Sequence, residues 1–253
     1  ALIAEKLKDI GGKVEFIEPG PDLYKMFDTP TRPGRMVHAQ FKGTGTKKIL
    51  LIAHMDTVYL RGMLADQQFR IDGNRAYGLG IADDKQGIAM ILHTLKVLKA
   101  NNFKDYGLIT VLINGDEEIS SPASRSTLTK LGAEHDVTFS CESSLAAFDR
   151  ISLVTAGIGA VNLTVTGKAS HAGSAPEQGR NALYELSHQI LQMRDLSDPS
   201  TGVKFNWTIS QAGTNRNVIP AKATANADVR VLKVDDFNSI EPKVAARINN
   251  KLI

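Results

Sequence analysis

Three short apolar runs punctuate the first 155 residues. Lys48 to Ala53 (KILLIA) and Gly107 to Ile113 (GLITVLI) are nearly continuous, the pattern of strands covered on both faces, and Val137 to Cys141 (VTFSC) is a weaker third. Between the first two, Ile88, Ile91, Leu92, Leu95 and Leu98 recur at helical spacing. This alternation predicts an α/β arrangement, a largely parallel sheet covered by helices. The opening ALIAEKLKDIGG reads as the end of an amphipathic helix with Leu2, Ile3 and Leu7 on one side, stopped by Gly11 and Gly12. Further residues are therefore expected before Ala1.

After about Thr155 the texture changes. Val161, Leu163 and Val165 alternate with polar residues, as in a strand with one wet face. A helix follows with Leu183, Leu186, Ile190 and Met193 on its apolar side, then strands around Phe205 to Ser210 and Thr224 to Val231. A last helix begins near Asp235, read as its N-cap, with Phe237, Ile240, Val244 and Ile248 facing inward. The order β-α-β-β-α is a ferredoxin-like unit lacking its final strand. Two domains are expected, 1–155 and 156–253.

Composition changes this picture little. Hydrophobic residues make up 42% and charged residues 23%, and the net charge of +3 is spread without a basic run, so no nucleic-acid partner is expected. No apolar stretch approaches the roughly 20 residues of a membrane span, so no membrane partner is expected. The single cysteine, Cys141, rules out an internal disulfide. The sequence fits periplasm and cytoplasm alike.

The candidate chemistry lies where the strands end. The first run leads into His54-Met55-Asp56, the second into Asp116-Glu117-Glu118, and the third into Glu142, while Asp83-Asp84 precedes the helix. Parallel strands deliver their C-terminal ends to one edge of a sheet, where α/β proteins bind ligands. Carboxylates gathered there repel one another unless a cation neutralises them. The mixture of imidazole and carboxylate suits zinc and also accommodates manganese or cobalt. In His54-x-Asp56 both side chains leave one face, so Asp56 can orient the imidazole through its second nitrogen. Glu117 and Glu118 point apart, so one can hold metal and the other act as general base. Taken singly, an acid at a loop tip is usually solvated. His38, His93, His135 and His188 read as ordinary structural histidines.

HMDTVY (54–59), GIADDK (80–85), NGDEE (114–118) and CESS (141–144) resemble the motifs of the di-zinc family of glutamate carboxypeptidase, aminoacylase and succinyl-diaminopimelate desuccinylase, in particular its bacterial glutamate carboxypeptidases. GKASHAG (167–173), FNWTI (205–209), NVIPA (217–221) and ADVR (227–230) extend the likeness along the chain. The resemblance implies a zinc-exopeptidase-like mixed sheet with a ferredoxin-like lid and dimerisation domain. It implies two zinc ions, with His54 and Glu142 on one, Glu118 on the other and Asp83 shared. Glu117 would be the general base and Asp56 the orienting partner, and the Asp83–Asp84 peptide would be cis. His171 would reach a neighbouring subunit's active site in a homodimer, with Asn217 and Arg230 contacting substrate.

In that family the second zinc takes a further histidine, and no position after Glu142 fills this role, because His171 and His188 fall in the second domain. Both domains are therefore expected to be incomplete, with a core open on one side that makes the chain poorly soluble or associates through an unpaired edge. The expected activity is hydrolysis of an amide bond that releases a C-terminal glutamate from a peptide or N-acyl amino acid such as a folate. The alternatives are a dipeptidase, an N-acyl amino acid deacylase, or a non-catalytic dimerisation fragment.

Overall fold

The structure, a computed structural model, describes residues 1–19, 30–143, 151–153 and 155–253. Ser144 of the CESS segment lies outside them. The chain divides into two compact units, Ala1–Ile151 and Ser152–Ile253.

The first unit runs α1 (Leu2–Ile10), β1 (Lys13–Ile17), β2 (Met36–Lys42), β3 (Lys48–His54), a hairpin of β4 (Arg70–Asp72) and β5 (Arg75–Tyr77), α2 (Gln86–Ala100), β6 (Leu108–Asn114), α3 (Arg125–Glu134) and β7 (Val137–Ser140). Its main sheet has the order β1-β2-β6-β3-β7. β3 is parallel to both β6 and β7, but β1 and β2 join antiparallel, so the sheet is mixed rather than largely parallel. The apolar runs predicted the parallel part; β1, β2, the small hairpin and α3 carry no comparable pattern.

β6 is buried from Ile109 to Asn114 because both faces of the sheet are covered. Side chains alternate along a strand. Ile109, Val111 and Ile113 therefore join a core with Leu7, Ile10, Ile88, Ile91 and Leu95, while Leu112 packs with Met36, Leu50 and Leu131 on the other side. β7 corrects the expectation of a third buried run. It lies at the edge of the sheet, and all four of its residues are exposed. In α1 the buried face is Ala4, Leu7 and Ile10, whereas Leu2 points to solvent. Gly11 ends that helix at φ 109°, with its N–H on Lys8 O at 2.8 Å.

The second unit runs β8 (Gly157–Thr166), α4 (Ala182–Gln192), β9 (Lys204–Ala212), β10 (Lys222–Val231) and α5 (Val234–Ile248). The three strands form an antiparallel sheet in the order β8-β10-β9. β10 alternates cleanly, with Ala223, Ala225, Ala227, Val229 and Val231 buried and the residues between them half-buried or exposed. Asn181 caps α4 by accepting from Leu183 N–H at 3.0 Å and Tyr184 N–H at 3.4 Å. On α4 the inward residues include Ala182 and Leu186, while Leu183 is exposed. The N-cap of α5 is Lys233, not Asp235, which sits in the first turn where a negative charge favours the helix dipole. Phe237, Ile240, Val244 and Ile248 pack against the sheet as expected. Among the described residues no helix is long and apolar enough to cross a membrane.

Leu112 is fully buried on the central strand. Leu112→Ala should cost about 2–5 kcal/mol through lost contacts and a residual cavity. Chemical denaturation of the two proteins checks this; a loss below about 1 kcal/mol would show that this face of the sheet collapses to fill the gap.

Candidate metal centre

The register of the parallel strands assembles the site. His54 pairs with Asn114 across β3 and β6, and Ile52 pairs with Ser140 across β3 and β7. Two residues beyond that last pair stand His54 and Glu142, and Glu142 Oε1 lies 3.4 Å from His54 Nε2. β6 runs on into a short helical turn at Glu117–Ile119, which puts Glu117 Oε2 4.0 Å from the same nitrogen. A wide turn at Ile81–Lys85, just ahead of α2, brings Asp83 Oδ1 to 2.8 Å. The Asp83–Asp84 peptide within it is cis, as the resemblance implies.

His54 is 1% exposed, so its ring orientation is set by its neighbours. Nδ1 faces Asp56, 3.2 Å from the backbone carbonyl and 3.3 Å from Oδ1. Two acceptors on that side place the ring proton on Nδ1. The Nε2 lone pair then faces the carboxylates of Asp83, Glu142 and Glu117, an arrangement that requires a positive charge between them. Without metal, a second proton supplies it. Burial lowers the pKa of His54, but the charges of Glu142, Asp56 and Glu117 and the hydrogen bond to Asp83 outweigh it and raise the value. Burial, followed by neighbouring carboxylates, also raises Glu142 (beside Asp84), Glu118 (beside Asp83) and Glu117.

This donor set fits a metal. His54, Asp83 and Glu118 bring one ligand atom each within 4.8 Å of one another, and so do His54, Asp84 and Glu142. All four residues expected to hold metal from the first unit are thus together, with Glu117 and Asp56 beside them. Asp84, named with Asp83 ahead of the helix but given no ligand role there, joins the second of these groups. It is buried, its Oδ2 accepts the backbone N–H of His54 at 3.2 Å, and its Oδ1 has no hydrogen-bond partner among the described residues. Gly87 makes room for it, because a Cβ there would lie 2.3 Å from Asp84 Oδ1 and 2.2 Å from Cys141 O. The Cys141 thiol is pushed up to about 11 by burial and by Asp84 and Glu142, which keeps it protonated.

Asp116, the first of the three consecutive acids, is turned away from the cluster. It is buried, and its Oδ2 accepts the N–H groups of Ala123 at 2.7 Å and Ser124 at 3.0 Å, while its Oδ1 accepts from Asn114 Nδ2 at 3.1 Å. Ser120 and Ser121, both left-handed at φ 68° and 54°, carry the loop between. Asp56 adds a second tie by accepting Glu118 N–H at 3.0 Å. Each of the two glutamates therefore projects from an anchored backbone.

The remaining expected residues lie in the second unit. His171 Nδ1 accepts the N–H groups of Gly173 and Ser174, both at 3.1 Å, which leaves its proton on the exposed Nε2 side. A bridge between His171 and Val218, with Ala172 N–H on Asn217 O at 2.8 Å, sets Asn217 beside it. Arg230 Nε donates to both carboxylate oxygens of Asp228, at 3.1 and 2.9 Å. The four structural histidines include His135, held between Leu131 O at 2.6 Å and Thr110 Oγ1 at 2.7 Å.

Sequence profiles described as Peptidase family M28 and as a peptidase dimerisation domain match residues 36–185 and 154–253. Carboxypeptidase G2 of Pseudomonas sp. is 48% identical over 218 residues, covering 86% of this chain and 52% of that protein. A p-aminobenzoyl-glutamate hydrolase polypeptide of Escherichia coli is 29% identical over 63% of this chain and 35% of its own length. The chain thus spans about half the length of the first of these relatives and about a third of the second. The M20 family metallo-carboxypeptidase Sso-CP2 of Sulfolobus solfataricus shares the fold, with a TM-score of 0.75 at 16% identity over 98% of this chain and 69% of that one.

The raised carboxylates and raised His54 all favour the folded, metal-free chain at acid pH, and that contribution is lost as pH rises through their folded values. A bound cation reverses the loss, because its ligands must be deprotonated. Zinc should therefore raise the melting temperature more at pH 7 than at pH 5, and Glu142→Gln should shrink the difference. Equal increments at both pH values would mean that zinc binds elsewhere. Asp116→Ala leaves two backbone N–H groups unpaired and should cost roughly 2–4 kcal/mol by denaturant titration; a loss under about 0.5 kcal/mol would show that water replaces the carboxylate.

Proposed function

We propose, because this chain belongs to the metallopeptidase family of glutamate carboxypeptidase, aminoacylase and succinyl-diaminopimelate desuccinylase, that it supplies most of the active site of a zinc-dependent amide hydrolase releasing a C-terminal glutamate from a peptide or N-acyl amino acid such as a folate. The observation that carries this reading is the convergence of Asp83, Glu117 and Glu142 on one buried imidazole nitrogen, with Glu118 alongside.

His54 and Glu142 would hold one zinc ion and Glu118 the second, with Asp83 shared. Bound zinc supplies acidity to water and polarises the amide carbonyl. Glu117 is the general base: it takes the proton of the attacking water and returns it to the leaving amine. Its raised pKa suits both halves of that task. Asp56 orients His54 through Nδ1 and steadies Glu118 through its backbone.

In a homodimer formed through the second unit, His171 would stabilise the developing oxyanion of a partner's substrate. Its anchored Nδ1 leaves an exposed N–H donor for the purpose. Asn217, next to it, and Arg230 would contact the substrate, with Arg230 facing a carboxylate. The names carboxypeptidase G2 and p-aminobenzoyl-glutamate hydrolase among the relatives support glutamate as the released residue.

The test uses full-length, zinc-loaded protein with folate-type and acetyl-amino-acid substrates. Faster cleavage of the folate-type compound is expected, and preference for the acetyl compounds would sink the substrate assignment. Glu117→Gln should lower kcat roughly 10²–10⁴-fold with zinc content unchanged. Near-normal turnover by that variant would remove Glu117 from the role of base.

A further inference from the structure

Asp228 and Arg230 alternate with the buried Ala227, Val229 and Val231 on β10, the central strand of the second unit's sheet, so both stand on its open face. The strand register sets Lys204 of β9 directly opposite Arg230 and Asn206 opposite Asp228. On the β8 side the opposing residues are Ile158 and Ala160. We infer that Lys204 joins Arg230 in holding a carboxylate of the substrate, with Asp228 as the residue that positions Arg230. The inference rests on the reading of Arg230 given above and deepens it.

The charges on this patch do not balance. Residues directly opposite in an antiparallel pair have Cβ atoms about 4.5–5.5 Å apart, and like charges at such a pair repel. Lys204 and Arg230 are such a pair. Asp228 is the one carboxylate beside them, and it gives both oxygens to Arg230 Nε. Among the described residues Lys204 has no ion-pair partner, and Asn206, Ala160 and Ile158 across the strands carry no charge. One positive charge is left uncompensated, and a second carboxylate fits it.

The hydrogen bonds say where that carboxylate would sit. A guanidinium carries five N–H donors in a planar fork. Asp228 takes the Nε edge, and among the described residues neither Nη group is engaged. The Nη end is therefore open for a bidentate contact with a planar carboxylate. With Nε held, the fork is already oriented, so less rotamer freedom is lost when the ligand arrives. Asp228 and Arg230 are half-buried, whereas Lys204 is exposed. Its flexible stem can bring the ammonium to the side of the same carboxylate as a point charge.

The experiment titrates zinc-loaded full-length protein, on a Glu117→Gln background so that nothing is consumed, with N-acetyl-glutamate and with its uncharged diamide. Lys204→Gln should weaken binding of the acid about tenfold, the usual worth of one partly exposed charge-assisted hydrogen bond, and leave the diamide unchanged. Lys204 is exposed, so the fold is not at stake. Asp228→Ala should also weaken binding of the acid, although it removes a negative charge from beside an anion. Asp228→Asn, which keeps an acceptor for Nε, should restore most of the affinity. Unaltered binding of the acid by Lys204→Gln, or equal weakening of acid and diamide, would overturn the shared contact. Unchanged or tighter binding by Asp228→Ala, or an Asp228→Asn protein as weak as Asp228→Ala, would remove Asp228 from the positioning role. Turnover of 4-aminobenzoyl-glutamate by protein with Glu117 intact is scored separately: the expected binding losses without hydrolysis would overturn the hydrolase reading and leave the carboxylate site standing.

Discussion

The first unit is organised around one electrostatic conflict. Three carboxylates point at the lone pair of a buried imidazole whose only other nitrogen is committed to Asp56. Like charges at such spacing are tolerable only with a cation among them, whether a proton or a metal ion. Burial first and neighbouring carboxylates second hold Glu117, Glu118 and Glu142 above the usual carboxylate range, while the carboxylates around His54 raise its pKa against the effect of burial. A site of this kind spends folding stability to keep its ligands in place, and metal binding restores it.

Holding repelling groups together requires a stiff frame, and carboxylates that accept backbone N–H groups supply it. Asp84 fixes the backbone of His54, Asp56 fixes that of Glu118, and Asp116 closes the loop from Asn114 to the start of α3. Beneath them β6 is packed on both faces, so the strand ends cannot drift apart without opening two cores. Glycine enters this frame at Gly87, where any side chain would displace Asp84.

The second unit follows a simpler rule. Its antiparallel sheet buries one face under α4 and α5, and the strict alternation along β10 records that one-sided burial. The His171 and Asn217 segments are held together by backbone bonds rather than by packing, which leaves their side chains accessible.

Residue order alone was enough for the parallel strands β3 and β6, helix α2, the β-α-β-β-α order of the second unit, and the expectation that acids and a histidine gather where the strands end. These are written in periodicity and in residue types at strand ends, which are local properties. Which acids face the cluster and which turn away was settled by packing. Asp116 and Glu117 are neighbours in sequence, yet one is consumed by backbone N–H groups and the other faces His54, because the loop between β6 and α3 must close on something. The antiparallel strands β1 and β2 and the exposure of β7 were equally illegible. Each depends on which segment becomes a neighbour, and a residue's own sequence window does not contain the partner that covers it.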